Sequence, residues 1–225
     1  FREGPSGPFV APGTGRLPPM IRRQALMRAA DAIQSESETA EDLRFLLGAG
    51  SPLGGARPKS AISLPDGRLA LAKFPKPDDT RDIASGEILG LELAAAAGIR
   101  VVEHRLMRVG EHGVAVITRF DRAGHHRIPF VSGASLLGLP HGDPGAYTLL
   151  ADAIRQFGHD VTGDLTELWR RLVFSLLASN SNDHLRNHGF LMLEAGRWAL
   201  SPAYDINPVP RSEEHTSELQ SRITI

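Results

Sequence analysis

Ser179-Asn180-Ser181-Asn182-Asp183-His184-Leu185-Arg186-Asn187-His188-Gly189-Phe190-Leu191 is the stretch on which the fold reading turns. It is dense in Asn, Asp and His and lies directly behind Leu165 to Ser179, an apolar run with helical spacing. A plain helix-capping loop does not account for that density of oxygens and imidazoles. The spacing suits a loop that carries a base and a metal ligand. Phosphoryl transfer uses an Asp five residues before a metal-binding Asn. Asn187 fits the second place, and five residues earlier stands Asn182, with Asp183 four before. His184 and His188 are four apart, as zinc-binding pairs are, but the Glu that should follow the first His is replaced by Leu185.

Downstream, Gly189 to Glu194 and Trp198 to Ser201 read as a short hairpin around Ala195-Gly196, followed by Pro202-Ala203-Tyr204-Asp205-Ile206-Asn207-Pro208. Upstream, Tyr147 to Phe157 reads as a helix, and Ala123 to Gly145 as loop. Val101 to Val109 and Val114 to Phe120 alternate like strands. Asp82 to Ala97 is an Ala- and Leu-rich helix stopped by Gly98. Ala61 to Leu64 and Leu69 to Phe74 flank Pro65-Asp66-Gly67, a hairpin signal. Before them come a Gly-rich stretch, Gly48 to Lys59, and two helical stretches, Met20 to Ser35 and Ala40 to Leu47.

Four features therefore occur in one order: a Gly-rich loop, a strand lysine, an Asn-Asp loop after a helix, and an Asp after a hairpin. That order suits transfer of a phosphoryl group from ATP. In Ser51-Pro52-Leu53-Gly54-Gly55-Ala56-Arg57-Pro58-Lys59 the paired glycines let backbone N–H groups approach a polyanion, although a surface turn reads the same way. Lys73 breaks the apolar alternation of Leu71-Ala72-Lys73-Phe74 and needs an opposite charge, from phosphate or from Glu87, unless its ammonium reaches water at a sheet edge. Asp205, just past a strand, suits a Mg²⁺ ligand; an Asx-turn before Pro208 is the plainer alternative.

These residues resemble the HipA-family serine/threonine kinases, toxins of type II toxin–antitoxin systems. The resemblance runs through Gly54 to Lys59, Lys73-Phe74, Arg119-Phe120-Asp121-Arg122, Asp183 to Phe190 and Leu200 to Asp205. It implies a phosphate loop at Gly54, Gly55, Ala56, Arg57 and Lys59, and Lys73 on the α- and β-phosphates. It further implies a hinge beside adenine at Thr118, Arg119 and Phe120, with His184 and Tyr204 in the nucleotide-binding motifs. Mg²⁺ would be held by Asn187 and Asp205, and Ser51 would be the autophosphorylated serine, whose modification ejects the loop and switches the kinase off. The family has Asp-Asp-His where this chain has Asn182-Asp183-His184, so Asn182 replaces the catalytic Asp. An amide can orient a hydroxyl but cannot take its proton. The candidate catalytic positions are thus Asn182 and Asp183, and the alternative is an impaired pseudokinase that binds nucleotide and antitoxin. A small-molecule phosphotransferase would share the loop logic, but the Gly-Gly-Ala-Arg-Pro-Lys segment argues against it. The implied partners are a protein substrate, such as an aminoacyl-tRNA synthetase, and a helix-turn-helix antitoxin, with DNA reached only through the antitoxin.

The fold expected is α/β (α+β), a protein-kinase-like bilobal fold of HipA type, truncated at both ends. Residues 1–122 would form the N-lobe side with the phosphate loop, the hairpin and the Glu87 helix, and residues 123–210 a partial, mainly helical C-lobe. Arg211-Ser212-Glu213-Glu214-His215-Thr216-Ser217-Glu218-Leu219-Gln220-Ser221 matches a translated sequencing adapter, so 211–225 is read as a non-native tail. The first residue is Phe rather than Met, which reads as an internal piece of a longer protein. The 225 residues hold 25 Lys+Arg against 26 Asp+Glu, so bulk charge does not mark a nucleic-acid binder. With no Cys, a disulfide framework, a thiolate zinc site and a cysteine nucleophile are excluded. No apolar run is long enough for a membrane span, and a cytoplasmic location is expected.

Overall fold

The computed structural model describes residues 57, 59–76, 79–109, 112–124, 126–140 and 142–209. The stretches 20–35 and 40–47 expected as helices, and Gly54 and Gly55 of the expected phosphate loop, lie outside these residues. The described residues fall into two compact units, one taking the residues up to Ala84 with Arg105–Arg119, the other Ser85–His104 with the residues from Phe120 onward. Glu87 therefore groups with the second unit, whereas the sequence reading places its helix with the first.

In the first unit, β1 (Lys59–Ser63) and β2 (Leu69–Lys73) pair antiparallel around the Pro65-Asp66-Gly67 turn. The turn is closed by Gly67 N–H donating to Leu64 O at 2.9 Å and by Arg68 N–H donating to the Asp66 carboxylate at 3.0 Å. Strands β3 (His104–Val109) and β4 (His112–Thr118) complete a four-stranded sheet in the order β1-β2-β4-β3. Alternation sorts the sheet's faces. Ile62, Ala70, Ala72 and Val116 point to one face, where they pack with Leu64, Phe74 and Val114 and with Met107 against them. Each buried large side chain there contributes about 1.5–3 kcal/mol. Lys59, Ala61, Leu71, Lys73, Ala115 and Ile117 lie on the opposite face.

Helix α1 (Ile83–Ala96) ends where expected. Gly98 adopts φ 77°, Gly98 N–H donates to Ala95 O and Ile99 N–H to Ala94 O, the paired bonds of a Schellman stop. Gly90 on the same helix is required by packing: a Cβ there would come within 2.8 Å of Pro208 Cδ and 3.0 Å of Ile206 O.

The stretch expected as loop after Ala123 holds more structure. Strands β5 (Arg122–Ala123) and β6 (His126–Arg127) pair with each other, and β7 (Phe130–Ser132) leads into the short helix α2 (Gly133–Leu136), capped by the Ser132 hydroxyl. Strand β7 pairs with β8 (Gly189–Glu194), which pairs with β9 (Arg197–Leu200), in the order β7-β8-β9. Helix α3 (Tyr147–Phe157) matches its expected span. Helix α4 (Val161–Leu177) starts before the expected Leu165, because Asp160 caps it by accepting from Gly163 N–H at 3.0 Å. Leu150, Ile154, Leu168, Leu185, Phe190 and Leu200 form the core beneath these elements. Among the described residues no helix is long and apolar enough to cross a membrane.

Candidate active site

The Asn-Asp loop leaves α4 through a tight reversal. Ser179 takes a positive φ of 53°, and Asn180 N–H donates back to Ser175 O at 2.9 Å. Asn180 is buried, and its side-chain oxygen accepts from Asn207 N–H at 3.2 Å. Val209 N–H donates to Ser179 O at 3.2 Å. The segment after β9 is thereby tied along the loop behind α4. These ties bring together, in one unit, the two motifs that sequence spacing marks.

Within the loop, Asn182 is exposed, and its backbone oxygen accepts from the Asn187 amide at 3.3 Å. Asn187 is buried and its own N–H donates to His184 O at 2.8 Å. Asp183 faces the other way. Its carboxylate accepts from Ser175 Oγ at 3.1 Å, meets His188 Nε2 at 3.2 Å, and interacts with the Tyr147 hydroxyl. Burial works to raise the Asp183 pKa, but these hydrogen bonds outweigh it and hold the carboxyl below the usual carboxylate range. In turn, burial and then the Asp183 charge push the Tyr147 hydroxyl's pKa up. His184 is half-buried, with no partner for Nδ1 among the described residues. Among the described residues, no group of three or more His, Asp or Glu gathers as a metal set.

The segment from Leu200 to Asp205 is held on both sides. Val101, expected within a strand, instead makes an isolated parallel bridge with Ala203. Val102 N–H donates to Ala203 O at 3.0 Å and Ala203 N–H to Arg100 O at 2.7 Å. Tyr204 donates its hydroxyl to Arg186 O at 3.0 Å and stacks on Phe120 with ring centroids 5.5 Å apart. Burial, then the neighbouring Asp205 charge, raise its pKa, so Tyr204 serves as a neutral donor. Asp205 sits at φ 57°, a left-handed conformation costing a residue with a Cβ roughly 1–2 kcal/mol. The Asn207 amide donates to it at 3.3 Å.

In the first unit, Lys59 and Lys73 are direct cross-strand partners, with Ala115 on the other side of Lys73 in the same row. Ala61, Leu71 and Ile117 form the next row of that face. Two cations beside an apolar row suit a polyphosphate joined to a flat base. Arg57, beside the glycine-rich loop, makes a two-pronged pair with Asp79, at 2.6 and 2.5 Å, and Lys76 N–H donates to the same carboxylate at 2.8 Å. The Arg57 hydrogen bond is the main reason the Asp79 carboxyl sits below its ordinary range. Thr118 closes β4 opposite Ala70, and Arg119 N–H donates to Leu69 O at 2.8 Å. Ser51, Gly54, Gly55 and Ala56 lie outside the described residues. Glu87 is buried in α1.

Asn187 and Asp205 offer an amide oxygen and a carboxylate, the hard donors that Mg²⁺ takes. Mg²⁺ needs only one or two such protein ligands when phosphates and water supply the rest. Asn187 and Tyr204 border one small cavity, and Asp205 lies between two of its lining residues, Tyr204 and Ile206, without lining it itself. By donor chemistry alone the amide oxygen and the carboxylate are compatible with Mg²⁺.

The model of the HipA-like C-terminal domain matches residues 51–224. The chain belongs to this family. Two curated relatives carry the name "Putative kinase". One is Y4dM of Sinorhizobium fredii, 29% identical over 224 residues, covering 91% of this chain and 53% of the relative. The other, from Haemophilus influenzae, is 27% identical over 154 residues, covering 60% and 45%. The HipA-like chain thus spans about half the length of the curated relatives it matches. Among solved structures, HipA of Shewanella oneidensis, determined in complex with HipB and operator DNA, aligns over 89% of this chain and 54% of that one, with TM-score 0.63 at 17% identity. The Helicobacter pylori proinflammatory kinase CtkA aligns over 76% and 64%, with TM-score 0.59 at 21% identity. The fold is therefore the mixed α/β kinase fold of HipA type.

Several residues that hold the candidate residues escape the motifs: in the second unit Ser175 and Tyr147 around Asp183, and Arg171, Glu167, Asp164 and Arg100 on the Leu200–Ala203 segment; in the first unit Asp79 on Arg57. None belongs to a local motif, whereas His188, on Asp183, lies within one. Most sit among charged and polar residues of helices, where an outward face is the ordinary reading.

Proposed function

We propose that the protein is an ATP-dependent serine/threonine protein kinase of the HipA toxin type, acting in the cytoplasm on a protein target. The observation that supports this most is the Lys59–Lys73 row beside the apolar row of Ala61, Leu71 and Ile117. The lysines and the Gly54–Gly55–Ala56 backbone would take the phosphates, with Arg57 contributing only if its guanidinium leaves Asp79. The hinge at Thr118, Arg119 and Phe120 would take the base, with His184 and Tyr204 completing the nucleotide-binding motifs.

Asn187 and Asp205 would hold Mg²⁺, which when bound supplies charge neutralisation on the phosphates. The bond from the γ-phosphorus to the bridging oxygen breaks, ADP leaves, and a bond to the target hydroxyl oxygen forms. Asn182 can accept a hydrogen bond from the hydroxyl and orient it but cannot take its proton. In this chain the proton would pass to an oxygen of the transferred phosphoryl group or to water, whereas an Asp at position 182 would take it as a general base. The same transfer to Ser51 would be autophosphorylation. The target would be a translation factor such as an aminoacyl-tRNA synthetase, and a helix-turn-helix antitoxin the partner that reaches DNA; the HipB and operator DNA bound to the Shewanella HipA support that choice.

A second reading has its own support. The Asp183 carboxylate is engaged with Ser175, His188 and Tyr147, so it is not placed to replace the base missing at Asn182. The protein would then be a pseudokinase that binds nucleotide and antitoxin. One experiment addresses both readings. In the full-length protein, Mg²⁺–ATP affinity and incorporation of labelled γ-phosphate are compared between the native sequence and Asn182→Asp. Binding in both, with incorporation far higher in the variant, supports the kinase site. Absence of ATP binding overturns both readings, and equal incorporation overturns the role given to position 182.

A further inference from the structure

Helix α4 buries three charged side chains on one side, Asp164, Glu167 and Arg171, at 2%, 3% and 4% relative exposure. Burying charges is costly, and apolar residues of similar volume hold a core at least as well. What charged groups add is direction, and here the charged groups hold one another and also bond the backbone of Arg100, Leu200 and Ser201. Arg171 Nη2 donates to Ser201 O at 2.7 Å and to Glu167 at 2.7 Å, while Arg171 Nε donates to Glu167 at 2.9 Å. Asp164 accepts from Leu200 N–H at 2.8 Å and from the Arg100 guanidinium at 2.6 Å. Glu167 accepts from Arg100 N–H at 3.1 Å.

The side chains of α4 therefore fix Leu200 and Ser201, and the Arg100–Val102 backbone fixes Ala203. Asp205, two residues on, is held in its left-handed conformation at the end of this clamped segment. The same helix runs directly into the loop that carries Asn187. Arg171 also borders the small cavity lined by Asn180, Asp183, Asn187 and Tyr204.

We propose that Arg171, held by Glu167, is a positioning residue that sets Asp205 against Asn187 and thereby fixes the site's affinity for a divalent cation. This rests on the reading above that Asn187 and Asp205 are the metal ligands. Partners that orient metal ligands typically change metal affinity by about 10–100-fold when removed.

The test uses the full-length protein and a fluorescent ATP analogue. Its affinity is measured in EDTA, and the Mg²⁺ concentration for half-maximal tightening is then read by titration. Arg171→Met is expected to raise that concentration about tenfold or more, with the metal-free nucleotide affinity within about twofold. Arg171→Lys, which keeps the charge but not the fork, should fall between. A folded Arg171→Met with the native Mg²⁺ requirement overturns the proposal, as does a parallel loss of metal-free affinity, which marks a merely structural role. If Arg171→Met does not fold, Arg171→Lys decides by the same two readouts. Asn187→Ala and Asp205→Ala separate the two layers. If they shift the Mg²⁺ requirement and the Arg171 variants do not, only the positioning role fails. If they leave it unchanged, the metal assignment fails and takes the proposal with it.

Discussion

Lys59 and Lys73 stand directly opposite each other across the β1–β2 ladder, so two cations share one row of the sheet. On the proposed reading, both ammonium groups of this row would meet the phosphates of one nucleotide. Substituting either by Met should weaken ATP binding by at least about tenfold, the loss expected for one charge-assisted hydrogen bond. Adenosine, which carries no phosphate, should bind both variants like the native protein. Titration calorimetry of the full-length protein with the two ligands checks this. An equal loss for ATP and adenosine would mean that the lysines shape the sheet rather than meet phosphates.

Asn182 and Asp183 are adjacent in sequence and differently engaged: Asn182 is exposed, while the Asp183 carboxylate meets Ser175 and His188. Asn182→Asp should raise phosphoryl transfer by about 10²–10⁴-fold, the usual contribution of a general base. Asp183→Asn should do nothing comparable to the chemistry in the Asn182→Asp background. It should instead lower stability by about 1–3 kcal/mol, because Ser175, Tyr147 and His188 lose a charged acceptor. Urea unfolding and label incorporation, read on the same four proteins, separate the two effects. Transfer that depends on Asp183 while stability does not would reverse the assignment.

Much of this architecture is legible in the sequence where the signal is local. Pro65-Asp66-Gly67 marks the β1–β2 hairpin, and Gly98 marks the end of α1, because turn chemistry acts within a few residues. What escapes is what depends on distant partners. Phe130–Ser132 is a strand only because β8 pairs with it, and Val101 leaves its expected strand because Ala203 captures it. Asp164, which lies before the expected helix, and Glu167 and Arg171 within it carry no local signal of burial, yet they are buried against Arg100 and the Leu200–Ser201 backbone. The two halves of the loop motif are equally instructive. Spacing alone leaves Asn182 and Asp183 as rivals for one position, and only hydrogen bonding shows that Asp183 faces inward.

Asp79 anchors Arg57 at the edge of the glycine-rich loop, and its pKa lies below the ordinary value chiefly because of that guanidinium. A carboxyl whose folded pKa is depressed stabilises the fold above its unfolded pKa, about 3.9, and loses that contribution as pH falls through the folded value. Asp79→Asn should therefore be less stable than the native protein at pH 7, with the gap narrowing as pH drops below about 4. Urea midpoints measured from pH 7 down to pH 3 check the sign. A gap that widens on acidification would place the pair's contribution elsewhere.

Gly86 and Gly90 lie one turn apart on α1, and the same substitution should act oppositely at each. Nothing lies within 4 Å of a Cβ at Gly86, so Gly86→Ala should stabilise by roughly 0.5–1 kcal/mol through helix propensity alone. At Gly90 the added carbon would meet Pro208 Cδ at 2.8 Å and Ile206 O at 3.0 Å, and the second is backbone that cannot rotate away. Overpacking of this kind costs about 1–3 kcal/mol, which outweighs the gain in propensity. Relief requires the Ile206–Pro208 segment to move off the helix, and Asp205 is its immediate neighbour. Gly90→Ala should therefore combine a lower melting temperature with a higher Mg²⁺ requirement for nucleotide binding, while Gly86→Ala changes neither for the worse. Thermal melts and the Mg²⁺ titration of the two variants, run side by side, test whether α1 backs the Asp205 segment. A Gly90→Ala protein with native values in both would show that the close approach is slack and that α1 plays no part in placing Asp205.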